Sequence, residues 1–308
     1  MVKNNLLEIK NLHKSFGQKK VIRNLNFSLS RGEVLGFIGP NGAGKTTTIR
    51  LILGLIYPDK GTVKIDGYDI KTDFYKAIAR VGAVVETPKF YTYLSGYQNL
   101  ALIANLYPRV HRSKVREVLD LVGLSSRGGD KVKTYSQGMR QRLGIARALI
   151  NQPRLVFLDE PMNGLDPQGM LDIKVLINRL AFEHDMTFFI TSHLLQEVEN
   201  VCSQVAVLQE GQLIAHGPVE DLLMKESEVV EISTSRTAEA HALLDGLDYV
   251  LSHHAADDKV YVEIEKGSSG QLNSYLVDNR IDILYLVPKK QTLEHYFFNL
   301  TGGKENID

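Results

Sequence analysis

The sequence predicts an α/β protein: a core of parallel strands with an antiparallel β layer and a helical insert, then a smaller α+β unit. Three observations carry this reading. The segments EVLGFIG, RLVFLD and MTFFITS are apolar runs with little alternation, the pattern of parallel strands covered on both faces. The first of them runs straight into a glycine-rich turn and a helix that begins near Lys45. After residue 226 the pattern changes to short strands and helices in the order βαββαβ.

Each element has its own signal. LLEIKNLHKSF and VIRNLNFSLS alternate apolar and polar residues and read as antiparallel strands. From about 88 to 150 the period is helical, with LDLVGL and RLGIARALI carrying apolar stripes at i, i+3, i+4 spacing. CSQVAVLQEGQLIAHG reads as a hairpin turning at Glu210–Gly211. In the second unit VVEIST, DYVLSH, KVYVEIEK and IDILYLV read as strands. TAEAHALLDGL and a stretch near 270–277 read as helices, so the order is that of a ferredoxin-like unit. A last helix puts Leu293, Phe297 and Leu300 on one face, for docking within the protein. The expected division is residues 1–226, with the helical subdomain at about 88–150, and residues 227–308 as an accessory domain.

Composition narrows the classes. The 308 residues exceed what one core usually organises, and 44% apolar with 23% charged residues is ordinary for a globular chain. Lys+Arg and Asp+Glu are equal at 36 each, so no global positive field argues for nucleic acid as a partner. Cys202 is the one cysteine, which excludes an internal disulfide and reads as buried core. MVKNNLLEIK has no signal-peptide apolar region, and no run approaches the roughly 18–20 apolar residues of a membrane span. The expectation is a cytoplasmic protein whose membrane role, if any, is borrowed from another chain.

Three motifs carry chemistry. GPNGAGKTT, at 39–47, fits G-x-x-x-x-G-K-[ST] between an apolar strand and a helix. Gly39, Asn41, Gly42 and Gly44 let the backbone wrap phosphates, Lys45 reaches the β and γ oxygens, and the Thr46 hydroxyl, followed by Thr47, can ligate Mg²⁺. LVFLDEP ends a buried strand in Asp159, suited to hold Mg²⁺ through water, and Glu160, suited to polarise an attacking water. The bland reading of that acidic pair is a cap for the next helix. ITSHLL places His193 just past another apolar strand, at the sheet edge where α/β proteins bind ligands. Alone it reads as a structural histidine, and beside a γ-phosphate as a donor. A fourth stretch, TYSQGMRQRL, opens a helix with Ser136 and Gly138. Ser136 is an ordinary N-cap, yet a helix start with free N–H groups also holds phosphate.

Taken together and in order, the phosphate loop, YSQGM, LVFLDEP, NGLDP and ITSHLL resemble the nucleotide-binding subunit of an ATP-binding cassette (ABC) protein over about residues 6–225. The resemblance implies a P-loop NTPase core and ATP with Mg²⁺ as ligands. It also implies that Ser136 and the Gly138 amide bind the γ-phosphate of ATP held by a second, head-to-tail subunit, a homodimer or a homologous pair. Phe16 in KSFGQKK corresponds to the aromatic that stacks on adenine, the bland alternative being a buried strand-end Phe. Asp166 in NGLDP corresponds to the loop that links the two sites.

Two departures from the family pattern matter. Tyr135, Gln137 and Met139 replace Leu, Gly and Gln of the usual LSGGQ signature. Glu86, in VVETPKFY, stands where the family has Gln near Mg²⁺ and the attacking water. An ionised Glu can face metal or water but cannot donate as an amide does. These loops, with TLEHYFFNLTGG near the C-terminus, resemble the ATPases of bacitracin- and lantibiotic-immunity exporters. The implied function is the ATP-hydrolysing motor of an exporter, peripheral on the inner face of the cell membrane and working on a separate integral membrane permease. Other classes stay in view: a non-transport ABC ATPase of translation or DNA repair, and a nucleotide-dependent regulator. The chain has one set of motifs rather than the tandem cassettes of the first, and a compact insert rather than the long coiled coil of the second.

Three smaller features have plain readings. HHAADD, at 253–258, reads as a solvated hairpin turn rather than a metal site. RVHRSKVR reads as a solvated helix start. Phe90, Tyr91, Tyr93 and Tyr97 either pack the helical subdomain or form part of a groove for a membrane subunit's coupling helix.

Overall fold

The structure, a computed structural model, describes residues 5–223, 227–256 and 258–289. The chain divides into two compact units, Met1–Pro218 and Val219–Asp308, so the division falls eight residues before the expected 226. The intervening helix α8 (Val219–Leu223) thereby belongs to the second unit.

In the first unit β1 (Asn5–Phe16) and β2 (Lys19–Ser30) pair antiparallel, and β4 (Lys60–Ile65) and β5 (Tyr68–Asp69) extend them into a four-stranded sheet of order β2-β1-β4-β5. A second sheet runs β10-β9-β3-β8-β7-β6. Its strands are β3 (Val34–Ile38), β6 (Val81–Val84), β7 (Leu155–Asp159), β8 (Thr187–Ser192), β9 (Gln204–Gln209) and β10 (Gln212–Pro218). All its pairings are parallel except the β9–β10 hairpin, whose turn puts Glu210 and Gly211 at φ 46 and 77. β3, β7 and β8 are wholly buried, as unalternating apolar runs require.

The two sheets close on each other through aromatic packing. Phe27 of β2 meets Phe37 and Phe189, with ring centroids 5.6 and 6.0 Å away, and Phe189 lies 5.1 Å from Phe37 and 5.2 Å from Phe157. Truncating Phe189 to Ala would cost about 3–5 kcal/mol by transfer and cavity terms. Helices α1 (Lys45–Ile52), α2 (Phe74–Ile78), α6 (Pro167–His184) and α7 (Leu195–Glu199) connect the strands. The helical insert consists of α3 (Gly96–Ala104), α4 (Ser113–Leu121) and α5 (Gln137–Leu149). Ser95 opens α3 with a reciprocal capping box to Gln98. Cys202 is buried among apolar residues, which pushes its thiol pKa up.

The second unit has β11 (Ser227–Thr234), α9 (Thr237–Ala242), β12 (Val250–Ala256), β13 (Lys259–Glu265), α10 (Ser269–Asp278) and β14 (Ile283–Lys289). Its sheet order is β12-β13-β11-β14 with antiparallel pairings, and Val230, Ile232, Val260, Val262, Leu272 and Leu276 build a separate core. One expectation is corrected here. His254 does not sit in a turn but continues β12 beyond His253, the last residue of the strand read from DYVLSH. His253 packs on His241 (centroids 4.5 Å) and bonds Asp245, while His254 stacks on Tyr261 (5.1 Å). Alternation along a strand sends the two rings to opposite faces. The helix expected around Leu293, Phe297 and Leu300 lies outside the described residues.

Candidate functional site

The phosphate loop bridges β3 and α1 because only glycine fits its two tightest points. A Cβ on Gly39 would stand 2.2 Å from the Leu208 carbonyl oxygen. Gly44 holds φ 112, and a Cβ there would stand 2.7 Å from Ile22 Cδ1. Gly44 precedes α1 with no side-chain cap, so the first N–H groups of α1 are left for a ligand. Lys45 is 6% exposed, and its Nζ donates to the Gly39 carbonyl at 2.7 Å and the Pro40 carbonyl at 3.3 Å. The lysine is thus folded over its own loop.

The loop meets the ends of β7 and β8. Thr46 Oγ1 donates to Asp159 Oδ2 at 3.0 Å, and Thr191 Oγ1 donates to Asp159 Oδ1 at 2.6 Å. Glu160 continues past β7 with φ 47, and its Oε1 lies 3.4 Å from Lys45 Nζ. Its Oε2 lies 3.1 Å from His193 Nδ1 and accepts from Asn163 Nδ2 at 3.3 Å. Lys45, Thr46, Asp159, Glu160 and His193, far apart in sequence, therefore form one contiguous cluster. Thr47 follows on α1, half-buried, and Asn41 and Gly42 are exposed at the loop tip.

Phe16 closes β1 opposite Lys19 and is 51% exposed, with Lys14 Nζ 5.3 Å from its ring centroid. The alternative of a buried strand-end Phe does not hold.

The signature helix lies apart from this cluster. Ser136 caps α5, its Oγ accepting from Met139 N at 3.2 Å. A Cβ on Gly138 would find nothing nearer than Gly169 Cα at 4.0 Å, so the surface above the helix start is open. Asp166 caps α6 by accepting from Gly169 N at 3.2 Å, which places NGLDP beside that open start. Gln137 takes the position over this loop: its Nε2 would be 2.7 Å from a Cβ on Gly164, whose φ is 72. Tyr135 is buried, donates to the Arg127 carbonyl at 2.7 Å, and has its pKa raised by burial. Among the described residues neither Ser136 nor Gly138 bonds to the Lys45 cluster.

Family comparison identifies the assembly. Residues 22–163 match the ABC transporter family. The uncharacterized ABC transporter ATP-binding protein YhcH of Bacillus subtilis (strain 168) is 40% identical over 98% of this chain and 98% of its own. This chain belongs to the ABC transporter ATP-binding proteins. The bacitracin transport ATP-binding protein BcrA of Bacillus licheniformis is 38% identical, covering 97% of this chain and 98% of its own. A solved ATP-binding cassette of an ABC transporter, in its ADP conformation, superposes with a TM-score of 0.64 at 28% identity, over 71% of this chain and 94% of that one. As an ABC ATP-binding protein the chain binds ATP and hydrolyses it, and readings outside transport are not favoured.

Glu86 has its own partner. Its backbone has φ 62 and its exposed carboxylate pairs with Arg50 of α1, bonding neither Thr46 nor Asp159. The pair joins α1 to a turn 36 positions on in sequence. Thr191 and Asn163 belong to the cluster although sequence reasoning passed over them, Thr191 because it reads as one more residue of an apolar strand. Among the aromatics, Tyr91 and Tyr93 are exposed with rings 5.9 Å apart, and the Arg147 guanidinium lies 5.4 Å from the Phe90 centroid. A cavity of about 310 Å³ opens there, lined by Lys89, Phe90, Tyr91, Asn99, Leu102, Ile103 and Arg147. Tyr97 lines a different cleft.

Proposed function

We propose that this ATPase drives an exporter of peptide antibiotics of the bacitracin kind, as a pair of cassettes beneath a separate membrane permease. The support is the 38% identity to a bacitracin transport protein across nearly the whole chain, together with an intact hydrolytic cluster. Lys45 and the N-terminal amides of α1 bind the β and γ phosphates, and Phe16 stacks on adenine. The Thr46 hydroxyl and the Asp159 carboxylate, side by side at 3.0 Å, are hard oxygen donors suited to Mg²⁺. The ion's contribution is to neutralise phosphate charge.

The protein's own part is positioning. Glu160, held between Lys45 and His193, orients a water and accepts its proton, and His193 keeps that carboxylate aimed. Ser136 and the Gly138 amide of one chain meet the γ-phosphate bound by the other, with Asp166 beside them, so a turnover-competent site needs two chains. No described helix is long and apolar enough to cross a membrane. The permease's coupling helix takes the Phe90–Arg147 groove, and the subunit works peripherally on the inner membrane face. Nucleic acid has no part.

The test is co-purification of the tagged full chain in mild detergent. Stoichiometric recovery of a polytopic membrane protein supports the proposal, and a strain lacking both becomes bacitracin-sensitive. Recovery with ribosomes or alone overturns it. Glu160→Gln is expected to trap an ATP-bound dimer and to lower turnover about 10²- to 10⁴-fold.

A further inference from the structure

Thr191 stands at the centre of the cluster yet touches no position where substrate binds. We propose that Thr191 is a positioning residue for hydrolysis: one hydroxyl fixes both the Asp159 carboxylate and the Glu160 backbone. The inference rests on the roles given above to Asp159 and Glu160. Thr191 is fully buried, and parallel pairing of β7 with β8 puts it directly beside Asp159. Its hydroxyl proton goes to Asp159 Oδ1 at 2.6 Å, and its lone pair accepts the Glu160 N–H at 2.9 Å.

The two bonds do different things. Asp159 is gripped from both sides, Thr46 on Oδ2 and Thr191 on Oδ1, so its carboxylate plane is set before any ligand arrives. Glu160 lies one residue past the end of β7 at φ 47, a region non-glycine residues seldom occupy. Its N–H has left the strand ladder, and Thr191 is its acceptor; Asn163 N, donating to the Glu160 carbonyl at 3.2 Å, fixes the other side of the same residue. This turn aims the Glu160 side chain back toward Lys45 and His193. The neighbouring hydroxyl makes the contrast: Ser192 faces the other way, donating to Glu197 at 2.6 Å.

Valine matches threonine in shape and strand preference but removes both bonds, and serine keeps them. The full-length chain with Thr191→Val is expected to bind ATP in excess chelator as tightly as wild type. Its kcat should fall about 10- to 100-fold, the scale of a lost hydrogen bond to a charged group, and its ATP-loaded form should bind Mn²⁺ more weakly by paramagnetic resonance. Thr191→Ser should keep kcat within about threefold. A Thr191→Val kcat within that range, equal loss in the serine variant, or ATP affinity in chelator falling in step with kcat overturns the proposal. Melting curves accompany each variant, and Thr191→Cys replaces valine if that chain does not fold. A normally active Glu160→Gln sinks the general-base role, while the Mn²⁺ shift still reports the grip on Asp159.

Discussion

The two surfaces of this chain proposed to face phosphate are built in opposite ways. At the ends of β3, β7 and β8 the charged side chains already have partners: Lys45 on carbonyls, Asp159 between two threonines, Glu160 between a lysine and a histidine. At the start of α5 the Ser136 cap and the Gly138 backbone face open space. The Asp159 and Glu160 carboxylates of the first surface are held in place before any ligand arrives, and only Lys45 must leave its loop carbonyls to meet a phosphate. The second offers only a helix dipole and free amides, which need a charge brought to them. The proposed hydrolytic cluster is thus built within one chain while the proposed recognition surface stands open, as expected if the missing piece is another chain's nucleotide.

The largest effect should come from filling the open half with the wrong charge. Gly138→Asp puts a carboxylate where phosphate is expected; the space around Gly138 accepts the side chain. Turnover should fall about 10²-fold or more, while ATP affinity of the single chain changes by less than about twofold. If affinity and turnover fall together, the helix start belongs to the chain's own site and the contrast collapses. Phe16→Ala acts on the other half. Base stacking is worth roughly 1–3 kcal/mol, so the ATP dissociation constant should rise about 10-fold with kcat little changed.

Much of the built half was legible because its motifs are local. The glycines of the phosphate loop, the buried strand ending in Asp159–Glu160 and the strand ending before His193 each declare themselves within a few residues. What escaped is what depends on lateral register. That Thr191 faces Asp159 follows from the alignment of β7 with β8, and the Arg50–Glu86 pair joins α1 to a turn 36 positions on. His254 was misplaced for a related reason: polarity suggested a turn, but alternation decides that it continues the strand that holds His253. The division between units shifted because a short helix such as α8 carries too few residues to announce its allegiance.

A smaller effect sharpens the contrast from beneath the open half. Tyr135 replaces the family's leucine, and its hydroxyl satisfies the Arg127 carbonyl. Tyr135→Phe removes one of that carbonyl's two donors, the Asp130 N–H at 2.9 Å remaining, a cost of about 1 kcal/mol or less, or roughly 2–4 °C at most in melting temperature. Turnover at 25 °C should stay near wild type, because the helix start itself is untouched. A turnover loss as large as that of Gly138→Asp would mean that Tyr135 sets the signature geometry rather than supporting it.

The smallest effect on catalysis should come from the accessory unit. Glu231 of β11 accepts from Lys259 Nζ at 2.8 Å, Lys289 Nζ at 2.6 Å and Tyr285 OH at 2.9 Å. Those donors, Lys259 first, hold its carboxyl down at about 2, against 4.5 ordinarily. A carboxyl depressed on folding contributes stability above its unfolded pKa and loses it as pH falls through the folded value. The second unit should therefore lose stability progressively between pH 4.5 and about 2, followed by thermal melting of the full chain. Glu231→Gln should flatten that acid slope while leaving ATP turnover at neutral pH unchanged. Because the two units have separate cores, an ATPase that responds to Glu231→Gln at neutral pH would show that the accessory sheet speaks to the nucleotide site, and the contrast drawn above would need a third member.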